Sequence, residues 1–218
     1  TSLLCLLSWI VISCNVSKQP LPPLEKLITQ WAGDELHPSF SPDGTQLLVA
    51  SNETGKYGIY LIDADGSHKT RLTGDSVVAI EPFWSPDGKR IGYRSNHKGK
   101  WSISIHTLES GEIRLIYSAD SIIPIAADWS PDGKRIAFTG IQSGRACIYS
   151  LDIATSNLEK LTDGGDEYLP RWNHKGDQLT YYLGQRDSLM ILNIVSKKTM
   201  CVNKGRFSGW RPRFSLSD

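Results

Sequence analysis

Residues 84–91 read Trp-Ser-Pro-Asp-Gly-Lys-Arg-Ile, and the same eight residues return at 129–136. Related stretches occur at 40–44 (Phe-Ser-Pro-Asp-Gly) and 172–176 (Trp-Asn-His-Lys-Gly), and a fifth begins with Phe-Ser at 214–215. The aromatic residues that open these stretches are separated by 42 to 45 residues. Self-similarity at a fixed period indicates a repeat architecture, in which each repeat folds as one supersecondary unit.

Each repeat has the pattern of four short strands. Pro-Asp-Gly favours a turn, because Pro presets φ, Asp bonds the nearby backbone and Gly accepts a positive φ. Strands with apolar alternation follow, as at 90–94 and 58–62, and a short last strand is indicated at 70–73. Four-stranded units at a period of about 43 residues are typical of propeller blades. The sequence therefore predicts an all-β β-propeller of four-stranded antiparallel blades, with about four complete blades plus partial blades at both ends.

The repeat, with Ile-Tyr and Leu-Thr after the Trp-Ser-Pro-Asp-Gly turn, resembles that of the TolB-like propellers, a family related to the Trp-Asp repeats. The resemblance covers residues 24–218. It implies about six blades, so we expect an incomplete propeller that lacks roughly two; an intact smaller ring is the alternative. It implies little about function, because similar blades occur in periplasmic TolB, in membrane-tethered sensors and kinases, and beside the hydrolase domain of prolyl oligopeptidases.

The start of the chain differs from the rest. Residues 3–12 are almost wholly apolar and uncharged, which is too short to span a bilayer but fits the centre of a secretory signal. Val-Ile-Ser-Cys at 11–14 resembles a bacterial lipobox, which implies lipidation of Cys14 and contact with the membrane only through this anchor. A plain signal peptide or the tail of a membrane anchor is the alternative. We therefore divide the chain into a signal or lipobox-like segment (1–14), a Pro-rich linker (15–23) and the propeller (24–218), and expect a bacterial periplasmic or outer-membrane-associated protein.

Several kinds of chemistry find no support in the sequence. The net charge is +1 and Lys and Arg are spread along the chain, which disfavours nucleic acid as a partner. Gly-x-Ser-x-Gly, phosphate-loop and His-Glu-x-x-His motifs are absent from the 218 residues. Asp63-Ala-Asp65-Gly66 resembles the start of a calcium loop, but its twelfth position is Gly74 rather than Glu, so a hairpin turn is predicted. We expect no catalytic residue, no metal site and no cofactor. The repeated aspartates are predicted to cap turns: Asp43, Asp87 and Asp132.

The histidines and cysteines do not form a pattern that indicates a site. The five histidines occupy different repeat positions, so they are not expected to converge on the propeller axis. Cys147 and Cys201 fall in different repeats and on different strands, which favours buried free thiols over a bridge.

The loops provide the candidate binding surface. Loops that join one blade to the next are expected to share a face with the loops that join the middle strands of each blade. The first set is acidic and the second is basic and aromatic, which suits a protein or peptide partner. The candidate binding residues are Asp34, Glu35, Asp75, Glu81, Asp166, Glu167, Lys98, Trp101 and Arg145.

Two functions remain open at this point. The first is a non-enzymatic, TolB-like scaffold at the bacterial envelope that binds a protein partner. The second is a gate or sensor propeller of a larger enzyme, prolyl-oligopeptidase-like or a membrane-tethered sensor, whose catalytic part lies outside this sequence. A reading frame that continues into a Gly-x-Ser-x-Gly motif would favour the second function.

Overall fold

The computed structural model describes residues 28–29 and 31–202. This part of the chain forms sixteen strands and one turn of 3₁₀-helix, Gly184–Arg186, and none of its helices could span a membrane. The strands form four four-stranded antiparallel sheets in chain order. Blade 1 contains β1 (Glu35–Phe40), β2 (Gln46–Ser51), β3 (Gly58–Asp63) and β4 (Thr70–Arg71); blade 2 contains β5 (Val78–Trp84), β6 (Arg90–His97), β7 (Lys100–Thr107) and β8 (Ile113–Ser118). Blade 3 contains β9 (Ile123–Trp129), β10 (Arg135–Gln142), β11 (Arg145–Asp152) and β12 (Leu158–Lys160); blade 4 contains β13 (Glu167–Trp172), β14 (Gln178–Leu183), β15 (Ser188–Asn193) and β16 (Thr199–Cys201).

This arrangement confirms the predicted all-β propeller with four complete blades. Within each sheet the strands follow one another in chain order, and the first strands β1, β5, β9 and β13 contact one another in sequence. The first strand of each blade is therefore the inner one, and the fourth strand is the outer edge. The strand at 24–27 that was predicted to belong to a partial blade and the segment from Phe214 onward lie outside the described residues, as do the linker at 15–23 and residues 1–14 with Cys14.

The Pro-Asp-Gly turns connect the first and second strands, and their aspartates cap them as predicted. In blade 2, the Ser85 hydroxyl and the Lys89 N–H both donate to Asp87 Oδ1, at 2.5 and 3.1 Å. These bonds, led by the one from Ser85, hold the pKa of Asp87 below its ordinary value. The same contacts recur around Asp43 and Asp132. Asp63 and Asp65 likewise cap a hairpin turn, through Ser67 and His68.

Apolar side chains fill the space between neighbouring blades. Phe138 is fully buried between Tyr117 and Tyr149, whose ring centroids lie 5.1 and 5.7 Å away. The tryptophans of the repeat also lie in these interfaces, whereas Phe40 of the first repeat is 58% exposed. Trp129, for example, is more than nine-tenths buried and meets Phe83 edge to face. Because each blade covers one face of the next, burial is continuous around the arc.

The inner strands share a local irregularity. Each one contains a β-bulge, and each bulge has one non-glycine residue with positive φ. A bulge bends a strand and leaves one residue out of register, so the inner strands can curve around the axis. The four residues are His37, Glu81, Ala126 and Leu169, with φ between 51° and 59°.

Candidate functional site: the loop face

The two sets of loops meet on one face, as the sequence predicted. In blade 1 the N–H of Asp34 donates to Asn52 Oδ1 at 2.8 Å, which ties the segment before β1 to the loop between β2 and β3. In blade 4 the Gly184 N–H donates to the carbonyl of Asp166 at 2.9 Å. We define the loop face as the segments before each inner strand (31–34, 72–77, 119–122 and 161–166) together with the loops between second and third strands (52–57, 98–99, 143–144 and 184–187).

Most acidic residues of the loop face already have partners within the protein. Asp75 forms an ion pair with Arg71, and Asp120 forms one with Lys100 at 2.6 Å. The Asp34 carboxylate accepts hydrogen bonds from the Asn52 amide and, at 3.5 Å, from the Tyr57 hydroxyl. Asp75 and Asp120 nevertheless remain 84% and 75% exposed, so they can still meet a partner.

Glu81 does not belong to this face. The sequence placed it in an inter-blade loop, but it lies inside β5, at the bulge. Arg94 donates to its Oε1 at 2.9 Å, and the N–H of Ala126 in the next blade donates to its Oε2 at 2.7 Å. The carboxylate is only 20% exposed. Glu81 thus joins blade 2 to blade 3 rather than facing a partner.

The sequence also placed Glu167 in an exposed loop, and this expectation is wrong. Glu167 is 4% exposed and begins β13. Its oxygens accept hydrogen bonds from the Thr162 hydroxyl at 3.1 Å and from the N–H groups of Gly164 and Gly165 at 2.9 and 3.0 Å. A Cβ on Gly164 would lie 2.2 Å from Glu167 Oε1, so this glycine permits the carboxylate to approach the backbone. Glu167 therefore fixes the loop before β13.

Glu35 occupies the same place at the start of β1. It is half-buried, and its Oε2 accepts a hydrogen bond from the Thr29 hydroxyl at 3.2 Å. Asp166 is also half-buried. Burial of the Tyr168 side chain, together with the nearby Asp166 carboxylate, raises the pKa of Tyr168. Of the six predicted acidic residues, only Asp34 and Asp75 are exposed on the loop face.

The basic residues of the face are more available than the acidic ones. Each middle loop has, in it or directly beside it, one exposed cation that forms no ion pair within residues 28–29 and 31–202; Lys100, beside the loop at 98–99, is paired with Asp120 and is not one of these four. Arg145 donates only to the carbonyls of Asp163 and Gly164, at 3.2 and 3.5 Å. These cations form an arc with one member in each blade: Lys56, Lys98, Arg145 and Arg186.

Trp101 lies beside this arc and has a partner that sequence reasoning missed. The guanidinium carbon of Arg94 lies 3.8 Å from the centroid of the Trp101 ring. Arg94 therefore connects Trp101, at the start of β7, to Glu81 on the inner strand. The sequence indicated only that Arg94 lies in the strand after the repeat turn. The alternation of that strand does not show whether a charged side chain points into the protein or toward solvent.

The inner strands line a second concave region, with a cavity volume of about 540 Å³. His37 and His174 both line it. This differs from the expectation that the histidines would not converge on the axis. The two residues come together because the bulge of β1 and the turn after β13 face the same space. Asp128 and Arg171 also line it; Asp128 accepts the N–H of Trp172 at 2.8 Å. In the described part of the chain, no three His, Cys, Asp or Glu residues are grouped so as to hold a metal ion.

Cys147 is a buried free thiol, as predicted, and no disulfide joins it to Cys201. Burial, together with the nearby Glu167 carboxylate, raises the pKa of the Cys147 thiol. Cys201 is exposed on the outer strand of blade 4, so the expectation that both thiols are buried is wrong for Cys201.

Comparison with known proteins identifies the family to which the chain belongs. The profile of the TolB beta propeller domain matches residues 19–206. This chain belongs to the TolB β-propeller family. No curated protein matches the sequence significantly.

Solved structures that share the TolB β-propeller fold come from proteins with different activities. TolB from Acinetobacter baumannii superposes with a TM-score of 0.68 at 21% identity, over 81% of this chain and 45% of that one. Oligogalacturonate lyase from Vibrio parahaemolyticus gives 0.67 at 16% identity, over 82% and 55%. A puromycin-hydrolyzing peptidase from Mycobacterium tuberculosis gives 0.67 at 16% identity, over 84% and 30%. This chain thus spans about half or less of these proteins, and the likeness establishes the fold alone.

Proposed function

We propose that this TolB-family propeller is a non-enzymatic scaffold of the bacterial periplasm or outer membrane that binds a protein partner on its loop face. The observation that carries the proposal is the arc of four exposed cations, one per blade, that form no ion pair within the described residues. Two of them, Lys98 and Arg145, are among the candidate binding residues named from the sequence.

The charge arrangement favours a folded acidic partner over a uniform polyanion. The cations alternate around the rim with the exposed carboxylates of Asp75, Asp120 and Asp163, whose side chains are 84%, 75% and 91% exposed. A polyanion would be repelled by these carboxylates, whereas a protein surface with acidic residues and a few basic ones would complement both signs. The half-buried Trp101 adds an aromatic side chain of the kind that is enriched in interfaces.

The proposal can be tested by site-specific photo-crosslinking in the native host. A photoreactive residue at Lys98 should give a discrete adduct with an envelope protein, and this adduct should be lost when Lys56 and Arg186 are changed to Glu. Lys89 provides the matched control, because it is also an exposed lysine but lies in the turn between β5 and β6, on the face of the propeller opposite the loop face. Equal adducts from positions 89 and 98, or an adduct insensitive to charge reversal, would contradict the proposal.

The absence of catalysis is tested separately. We expect no product when the purified protein is incubated with oligogalacturonate and Mn²⁺, or with puromycin, the substrates named for proteins of the same fold. Turnover of either substrate would overturn the non-enzymatic proposal. The intact mass of the native protein from the envelope should show an acylated Cys14 as first residue; a larger mass with an attached hydrolase domain would instead favour the gate or sensor function.

A further inference from the structure

The outer strand of blade 2 differs from those of the other blades. β8 has six residues, whereas β4, β12 and β16 have two, three and three. Short outer strands are one way in which proteins prevent an edge from pairing with another chain. Blade 2 therefore presents an edge without this protection.

The backbone groups of β8 that face away from the sheet can be identified from the register. The Thr107 N–H donates to the carbonyl of Glu112 at 2.9 Å, and Ile105 lies opposite Arg114. Hydrogen-bonded and non-hydrogen-bonded pairs alternate in an antiparallel ladder, and here the alternation holds from Thr107–Glu112 to Ser104–Leu115, after which the register shifts by one residue at a β-bulge. The N–H and C=O groups of Ile113 and Leu115 therefore point outward. From residues 28–29 and 31–202, no backbone hydrogen bond reaches this outer side of β8.

The side chains on the same strand are also available. Ile113 and Leu115 are 53% and 59% exposed, and they lie on one side of the strand because they are two residues apart. Arg114 lies on the other side, where it donates to the carbonyl of Ile153 in blade 3. One side of the edge is thus apolar, and the other is occupied by a contact within the protein.

Charge at the start of β8 indicates which strand would pair there. Glu109 and Glu112 are exposed in the turn that leads into β8, and neither forms an ion pair with a described residue. A second copy of this chain is disfavoured, because an antiparallel pair centred on residue 114 would place two Arg114 side chains opposite each other. An extended peptide with aliphatic residues followed by basic ones would satisfy the backbone, the apolar side chains and the carboxylates together.

We propose that the edge of β8 binds an extended segment of a partner protein by strand addition, a segment with two aliphatic residues at alternate positions followed by Lys or Arg. This mode obtains affinity from main-chain hydrogen bonds and selectivity from alternate side chains. The site lies on the circumference of the propeller and goes beyond the proposed loop-face function, on which it does not depend.

The test uses the whole 218-residue chain and a fluorescent acetylated peptide with two isoleucines at alternate positions followed by two lysines. We expect saturable binding by anisotropy, and new protection of the Ile113 and Leu115 amides in hydrogen exchange. Leu115→Pro, which removes an outward N–H, and Ile113→Lys should each weaken binding by about tenfold. Val195→Lys is the matched control, because Val195 is an exposed aliphatic residue in another blade, and it should bind as the unchanged protein does.

The outcomes separate the alternatives. If Leu115→Pro fails to fold, amide protection in the unchanged protein still decides the question. The proposal is overturned if the peptide binds without protecting the Ile113 and Leu115 amides, or if a peptide with two glutamates in place of the lysines binds equally well. It is also overturned if sedimentation shows a dimer of the chain that Ile113→Lys dissociates. Loop-face charge reversals should leave peptide binding unchanged, so the two proposals can fail independently.

Discussion

Substitution of Glu81 separates a structural role from the binding role that its position in the sequence suggested. Glu81→Ala would leave the guanidinium of Arg94, which is 16% exposed, without its carboxylate, and would leave the Ala126 N–H without an acceptor. A hydrogen bond to a charged group contributes about 1.5–3 kcal/mol. Partial exposure reduces the larger penalties known for fully buried pairs. We therefore expect a loss of about 2–3 kcal/mol in the free energy of unfolding.

Urea denaturation followed by tryptophan fluorescence would measure this loss. Asp75→Asn provides the control, because it breaks an ion pair whose carboxylate is 84% exposed and should cost less than about 1 kcal/mol. Glu81→Gln, which keeps an oxygen acceptor, should fall between the two. If Glu81→Ala were no more destabilising than Asp75→Asn, the assignment of Glu81 to the junction between blades 2 and 3 would be refuted.

Three further predictions concern the blades themselves. Burial lowers the pKa of His106 below 6.5. Below about pH 6.5 the unfolded chain therefore binds a proton that the folded protein does not bind, and the free energy of unfolding should fall with acidification until the pH reaches the pKa of the folded state. In a pH series of urea midpoints, His106→Gln should show a weaker dependence on pH in this range. The guanidinium of Arg135 lies 4.6 Å from the centroid of the Trp172 ring in the next blade. Arg135→Ala should therefore lower the unfolding free energy measured by calorimetry by about 1–2 kcal/mol. If the Arg135→Ala and Arg135→Lys variants were equally stable, this would argue against the stacking. Asp87→Ala removes the acceptor for Ser85 and the turn backbone, and should lower the unfolding free energy by about 1 kcal/mol. This loss should be smaller in a Ser85→Ala background, and an equal loss in that background would argue against turn capping as its cause.

The placement of the acidic residues shows where sequence reasoning reached its limit. Asp34 and Glu35 are adjacent in the sequence, as are Asp166 and Glu167, and all four appeared equivalent as loop residues. In the structure, Asp34 is exposed, whereas the Glu167 carboxylate is buried and accepts three hydrogen bonds from within the protein. The difference depends on where each strand begins and on the close approach that Gly164 permits, neither of which is encoded by local pattern.

The amino-acid sequence was enough to specify the fold, because a turn such as Pro-Asp-Gly and strand alternation act over a few residues and recur with the period of a blade. It also determined that two loop sets share a face, since this follows from strand order alone. The folded blades were needed to show which charges remain available there, and that β8 is longer than β4, β12 and β16. Those properties depend on contacts between residues about one blade apart, such as Glu81 with Ala126 and Arg114 with Ile153, and a charge becomes free or paired only when the blades are packed together.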